Sequence, residues 1–148
     1  MATWLACGAG MLLVFAQAEV RAADFRSIAE NAAVLYDAPS ARAKNLYVIG
    51  RSYPGEVIVV VEGWVKIRDA GGELAWIESK ALSERRTVMV KTPLADIRQA
   101  ADDHAPLVFQ AEHSVLLDLV ELTGTGWARV THRDGQSGYV KLSQVWGV

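Results

Sequence analysis

The stretch Gly63-Trp64-Val65-Lys66-Ile67-Arg68-Asp69-Ala70-Gly71-Gly72-Glu73-Leu74-Ala75-Trp76-Ile77 reads as a β-hairpin. From Trp64 to Arg68 apolar and polar side chains alternate, the period-2 pattern of a strand with one buried face. Asp69-Ala70-Gly71-Gly72 supplies residues that tolerate positive φ, so it predicts the hairpin loop. Leu74 to Ile77 then returns as the partner strand.

The same text occurs again downstream. Gly126-Trp127-Ala128-Arg129-Val130 repeats Gly63-Trp64-Val65-Lys66-Ile67 at an offset of 63 residues. At that offset Gly72 meets Gly135, Trp76 meets Tyr139, Ile77 meets Val140 and Leu82 meets Val145. Carried upstream without a gap, it sets Val57 and Val59 against Val120 and Leu122, and Val34 against Ile97. So many matched positions at one spacing indicate a tandem duplication. Around each hairpin lie further strand signals: Glu56 to Val61 in the first copy, and Val115 to Leu122, Trp127 to Thr131 and Gly138 to Lys141 in the second. Gly124-Thr125-Gly126 and Arg133-Asp134-Gly135 mark turns. Helix is expected only in the leader and in single turns near Ser79 to Leu82 and Leu142 to Val145. The pattern predicts an all-β protein of two tandem small β-barrels, residues 24–84 and 87–148. The join Ser83-Glu84-Arg85-Arg86-Thr87 is short and lacks Gly and Pro, so the copies are expected to hold a fixed arrangement.

Of the 148 residues 51% are hydrophobic, and part of that excess lies before the duplication. Trp4 to Phe15 is almost wholly apolar and too short to span a membrane as a helix. Small-residue sites follow at Ala16-Gln17-Ala18 and Val20-Arg21-Ala22, so residues 1–22 are expected to be an export signal peptide with a signal helix. Cys7 is the single cysteine, which leaves the processed chain without a disulfide, a thiol nucleophile or a thiolate metal site. Lys and Arg total 15 against 17 Asp and Glu, with no basic stripe, which speaks against nucleic-acid binding.

With these residues in view, the chain resembles the bacterial SH3 domain family. Trp64-x-Lys66-Ile67, the Gly71-Gly72 turn and Ala75-Trp76-Ile77 are similar to that family's core, and Arg85-Arg86-Thr87-Val88 is similar to the join of its tandem periplasmic form in proteobacteria. The resemblance covers about residues 24–148. It implies SH3-like barrels and an exported, periplasmic, non-catalytic module that binds peptidoglycan peptides or an envelope protein. The first-strand stretches Ala33-Val34-Leu35-Tyr36-Asp37-Ala38-Pro39 and Asp96 to Asp102 depart from the family's Asn-Val/Leu-Arg and Gly-Pro pattern.

No catalytic grouping, cofactor motif or metal-ligand spacing stands out. His104, His113 and His132 lie nine and nineteen residues apart and read as solvated side chains, while Asp102-Asp103 reads as a self-capped loop. The aromatics are the candidate ligand-binding residues. Tyr36, Tyr53, Trp64 and Trp76 are expected to line a groove on the first barrel, because Tyr36 and Tyr53 align with the non-aromatic Gln99 and Leu116. A rigid scaffold that docks a protein partner and binds no small ligand is the competing expectation.

Overall fold

The computed structural model describes residues 22–148, all β apart from two single turns of 3-10 helix. The expected signal helix falls on residues outside that range. The first copy comprises β1 (Phe25–Ile28), β2 (Ala32–Tyr36), β3 (Asn45–Gly50), β4 (Pro54–Val61), β5 (Trp64–Arg68), β6 (Leu74–Glu78) and β7 (Leu82–Ser83). The second comprises β8 (Thr87–Val90), β9 (Leu94–Arg98), β10 (Leu107–Glu112), β11 (Leu116–Leu122), β12 (Trp127–Thr131), β13 (Ser137–Lys141) and β14 (Val145–Trp146). The 3-10 turns, Ser79–Ala81 and Leu142–Gln144, fall where the sequence predicts them.

Each copy is one seven-stranded antiparallel sheet, ordered β3-β2-β6-β5-β4-β1-β7 and β10-β9-β13-β12-β11-β8-β14. The closed barrel expected from the sequence is not completed by hydrogen bonds, since β3 and β7 remain as edges. Even so, Ile28, Leu35, Ile67 and Ile77, drawn from across the first sheet, meet in one buried cluster. Only a sheet bent around its own apolar face brings them together. Their counterparts Val90, Ile97, Val130 and Val140 form the second core.

The constant offset of 63 does not hold throughout. Downstream of the β4–β5 loop it does: Trp64 and Trp127 open equivalent strands, and Asp69 and His132 open equivalent turns. Upstream the copies superpose at 62. Ser52 N–H donates to the Ile28 carbonyl and Ser114 N–H to the Val90 carbonyl, and Ser52 and Ser114 share φ values of 68° and 71°. The extra residue lies in the loop, Glu62-Gly63 in the first copy and Gly124-Thr125-Gly126 in the second, where both glycines take positive φ. Both copies carry a bulge at Ile58 and at Val120. The proper counterparts of Tyr36 and Tyr53 are therefore Arg98 and Val115, in place of Gln99 and Leu116.

The two copies touch through the join. Thr87, almost fully buried, donates its hydroxyl to the Ser52 carbonyl at 2.7 Å. Trp146 donates its indole N–H to the Pro54 carbonyl at 3.2 Å and meets the Phe25 ring edge-on at 5.0 Å. Arg86 reaches the Gly147 carbonyl at 3.0 Å and lies 5.8 Å from the Phe25 ring centroid. Gly147 has φ of 117°, and a Cβ there would sit 2.5 Å from the Thr87 carbonyl oxygen.

Two outcomes follow for stability. Gly138 packs β13 onto β9 so closely that a Cβ would lie 2.4 Å from Ile97 Cγ2 and 2.7 Å from the Arg98 carbonyl oxygen. Gly138→Ala is expected to destabilise the second copy by about 2 kcal/mol or more in urea unfolding, although its counterpart in the first copy is Ala75. Trp146→Ala is expected to cost about 2–3 kcal/mol and to split a single calorimetric transition into two, the copies melting separately.

Candidate functional site

Alternation along the strands sorts the first copy into two faces. Ala33, Leu35, Val65, Ile67, Ala75 and Ile77 go to the core, which leaves Tyr36, Trp64, Lys66, Trp76 and Glu78 on the outside. Strand pairing then brings the outer residues together. Tyr36 stands opposite Trp76, Trp76 opposite Lys66, and Trp64 opposite Glu78. The Tyr36 and Trp64 rings meet edge-on at 5.3 Å and 88°, a geometry worth about 0.5–1.5 kcal/mol beyond burial. Lys66 Nζ lies 5.8 Å from the Trp76 ring centroid. Glu78 bonds Lys80 at 3.0 Å, and that hydrogen bond raises the pKa of the exposed ammonium. A shallow cleft of about 160 Å³ runs beside Tyr36 between Glu30 and Lys80. The face is thus aromatic, half-exposed and bordered by both signs of charge. Such a surface stacks on apolar groups and hydrogen-bonds the polar groups between them.

Three of the four expected groove residues share this face. Tyr53 does not. It precedes β4 and packs against the first core, where its hydroxyl accepts the Ala70 N–H at 3.0 Å. Next to it Tyr47 donates to Asp69 Oδ2 at 2.9 Å, while Asp69 Oδ1 accepts the N–H groups of Gly71 and Glu73. Tyr47, Tyr53 and Asp69 therefore fasten the β5–β6 loop to the body of the domain. In the second copy Tyr47 and Asp69 are replaced together by Phe109 and His132, whose rings meet tilted by 51° with centroids 5.9 Å apart. His132, expected to be solvated, is half-buried there and bonds Asp134 at 3.1 Å. Polar residues that the sequence reading passed over, Lys66 and Glu78, belong to the aromatic face; their place in the period-2 pattern was the signal.

On the equivalent face of the second copy Trp127 is covered, while Tyr139 stays partly exposed beside a cleft of about 460 Å³ that Gln99 and Leu122 also line. Trp127 is 8% exposed and lies under Lys141, whose Nζ is 5.6 Å from its ring centroid and which pairs with Asp103. Arg98, standing where the first copy has Tyr36, bonds Asp96 at 2.9 Å and the Ala105 carbonyl at 2.8 Å. Among the described residues no group of three His, Cys, Asp or Glu side chains is placed to hold a metal ion.

Two bent antiparallel sheets of one topology, joined by the three residues between β7 and β8 and carrying a half-exposed aromatic face on the first copy, define a tandem SH3-like fold. The chain belongs to the bacterial SH3 domain family, whose sequence model matches residues 29–84 and again 91–147. No curated protein matches the whole sequence significantly. Among solved structures the chain is similar to NlpC2 from Trichomonas vaginalis (16% identity, 86% of this chain and 49% of that one, TM-score 0.40). It is likewise similar to NlpC1 from the same organism (19%, 95% and 52%, TM-score 0.40) and to an NlpC/P60 family protein from Bacillus cereus (16%, 82% and 55%, TM-score 0.39). The chain spans about half the length of these proteins, and overlaps this low carry no functional argument.

The loop fastening titrates. Burial, followed by the bond to Asp69, raises the Tyr47 phenol well above its ordinary pKa, and burial also raises Tyr53. A raised pKa means that the folded state holds its proton more tightly. The resulting stability is whole below pH ~10 and is lost as pH climbs through the folded values. In a tyrosinate absorbance titration Tyr47 and Tyr53 are expected to ionise late, together with unfolding. Tyr47→Phe is expected to flatten the decline of stability above pH ~10; an unchanged slope would contradict the assignment.

Proposed function

We propose that the chain is an exported, non-catalytic binding module of the cell envelope, held in the periplasm, that recognises peptidoglycan peptides or an envelope protein. The observation that carries this reading is the Tyr36–Trp64–Trp76 face. Three large aromatics stay half-exposed although the core beneath them is already filled by Leu35, Ile67 and Ile77. Membership of a family of binding domains supports the same reading, as does the apolar leader seen in the sequence. Peptides suit the site because Lys66 and Glu78 flank the rings with a donor and an acceptor.

A second reading, a scaffold that docks a protein partner and takes no small ligand, is favoured by one feature. Ile58, Val59, Val60 and Val61 at the end of β4 are all exposed, from 37% to 59%, with no charged residue among them. Exposed apolar side chains gathered at one strand end in this way favour protein contact.

The two readings separate in one experiment, sedimentation of the purified protein with insoluble peptidoglycan. Retention is expected for the wild type, with Trp76→Ala and Tyr36→Ala each weakening it about tenfold, as loss of one stacked aromatic does elsewhere. No retention above an inert polymer control counts against wall binding. Retention that Val60→Lys abolishes and Trp76→Ala leaves intact counts against the aromatic face as the wall-binding surface, and no retention at all is the result the scaffold reading expects.

A further inference from the structure

A cavity of about 530 Å³ lies away from the aromatic face of the first copy, between the two copies. That falls within the ~300–1,000 Å³ range of small-ligand sites, which favour domain boundaries. Three arginines line it, Arg51, Arg85 and Arg133, together with His132 and a single acidic residue, Asp118. Arg85 bonds Asp118 at 2.5 Å, so one positive charge is neutralised. Arg51 gives its Nε–H to Asn31 Oδ1 at 2.9 Å, which holds the side chain while its two terminal amino groups have no partner among the described residues. Arg133 makes no side-chain hydrogen bond or ion pair among the described residues. Two arginines, one from each copy, are therefore without an acidic partner among the described residues beside one cavity in a chain whose net charge is −2.

The duplication gives an independent argument. Residues that build the fold are shared between copies, whereas the cavity's cations are not. The counterpart of Arg51 is His113, and that of Arg133 is Ala70. Asp118 corresponds to Glu56, which in the first copy pairs with Arg68 at 3.0 Å. In the second copy Thr131 stands in place of Arg68, so Asp118 has turned to Arg85 of the join. Each arginine is present only on the side that meets the other copy. The walls are firm as well. Ser52 and Ser114, the non-glycine residues at positive φ among those described, both line the cavity, and Thr87 pins the Ser52 carbonyl.

We propose that this inter-domain cavity is a binding site for an oxyanion, a carboxylate or phosphate group, held between Arg51 and Arg133. Paired guanidinium forks match the planar, bidentate geometry of those anions. Both copies must be present, because each contributes one arginine. The site is distinct from the aromatic face and does not depend on the reading given to it.

Calorimetric titration of the whole protein with inorganic phosphate, and separately with succinate, tests this. One of the two is expected to saturate at one site per chain, and the tighter anion tells a phosphoryl from a carboxyl ligand. Arg51→Ala and Arg133→Ala are each expected to weaken that binding about tenfold or more, and added salt to weaken it further. Arg42→Ala, on the exposed β2–β3 loop, is expected to leave it unchanged. An unchanged melting temperature for Arg133→Ala, whose side chain bonds nothing in the fold, keeps the result a statement about binding. Failure of both anions to saturate, or equal affinity in the arginine variants, overturns the proposal.

Discussion

Everything in this molecule depends on burying one face of a short antiparallel sheet within itself. Leu35, Ile67 and Ile77 in the first copy, and Ile97, Val130 and Val140 in the second, are inaccessible to solvent. A domain of about 60 residues has little else to stabilise it, since it removes only ~60% of its unfolded surface from water. The requirement fixes alternate side chains along β2, β5 and β6 and along their counterparts. It says nothing about the residues between them. Those outward positions hold Tyr36, Trp64, Lys66 and Trp76 in one copy and Arg98, Trp127, Arg129 and Tyr139 in the other. The two copies are alike inside and free to differ outside, and the aromatic face is one result of that freedom.

Inside, the copies preserve volume more than identity. Where the first core has Gly55 against Ile67, the second has Leu117 against Val130. Where the first pairs Leu35 with Ala75, the second pairs the β-branched Ile97 with Gly138, and no larger residue fits between the strands. Tyr47 with Asp69 and Phe109 with His132 are likewise alternative ways to fasten the same loop, one by a hydrogen bond and one by contact between two tilted rings. Such exchanges are tolerated because a core asks for filled space and satisfied polar groups, and several residue pairs supply both.

The join converts two marginal units into one body. Thr87, Trp146 and Arg86 each satisfy a backbone carbonyl across or beside the boundary, and Phe25 lies under both Trp146 and Arg86. Among the described residues Arg86 Nε is the buried side-chain polar atom without a partner, so this contact is not wholly satisfied. A fixed boundary also makes the inter-domain cavity a lasting feature, which a flexible link would not.

The hairpin Trp64–Ile77, the turns at Gly72 and Gly135, both 3-10 turns and the duplication itself were legible in the sequence, because each rests on local rules of side-chain alternation and of φ at glycine. So was the grouping of Tyr36, Trp64 and Trp76. The phase of the repeat upstream was not. Val57 to Val61 is a continuous β-branched run without alternation, and such a run matches its partner equally well when slid by one residue. The hydrogen bonds of Ser52 and Ser114 to the β1 and β8 carbonyls, and the matching bulges at Ile58 and Val120, reveal the shift to 62. Tyr53 was assigned to the wrong side for a related reason: spacing along the chain does not say around which edge of a bent sheet a turn is folded. The arginines beside the inter-domain cavity carry no sequence signal at all. They lie far apart in the chain, and it is the packing of one copy on the other that brings them to a common cavity.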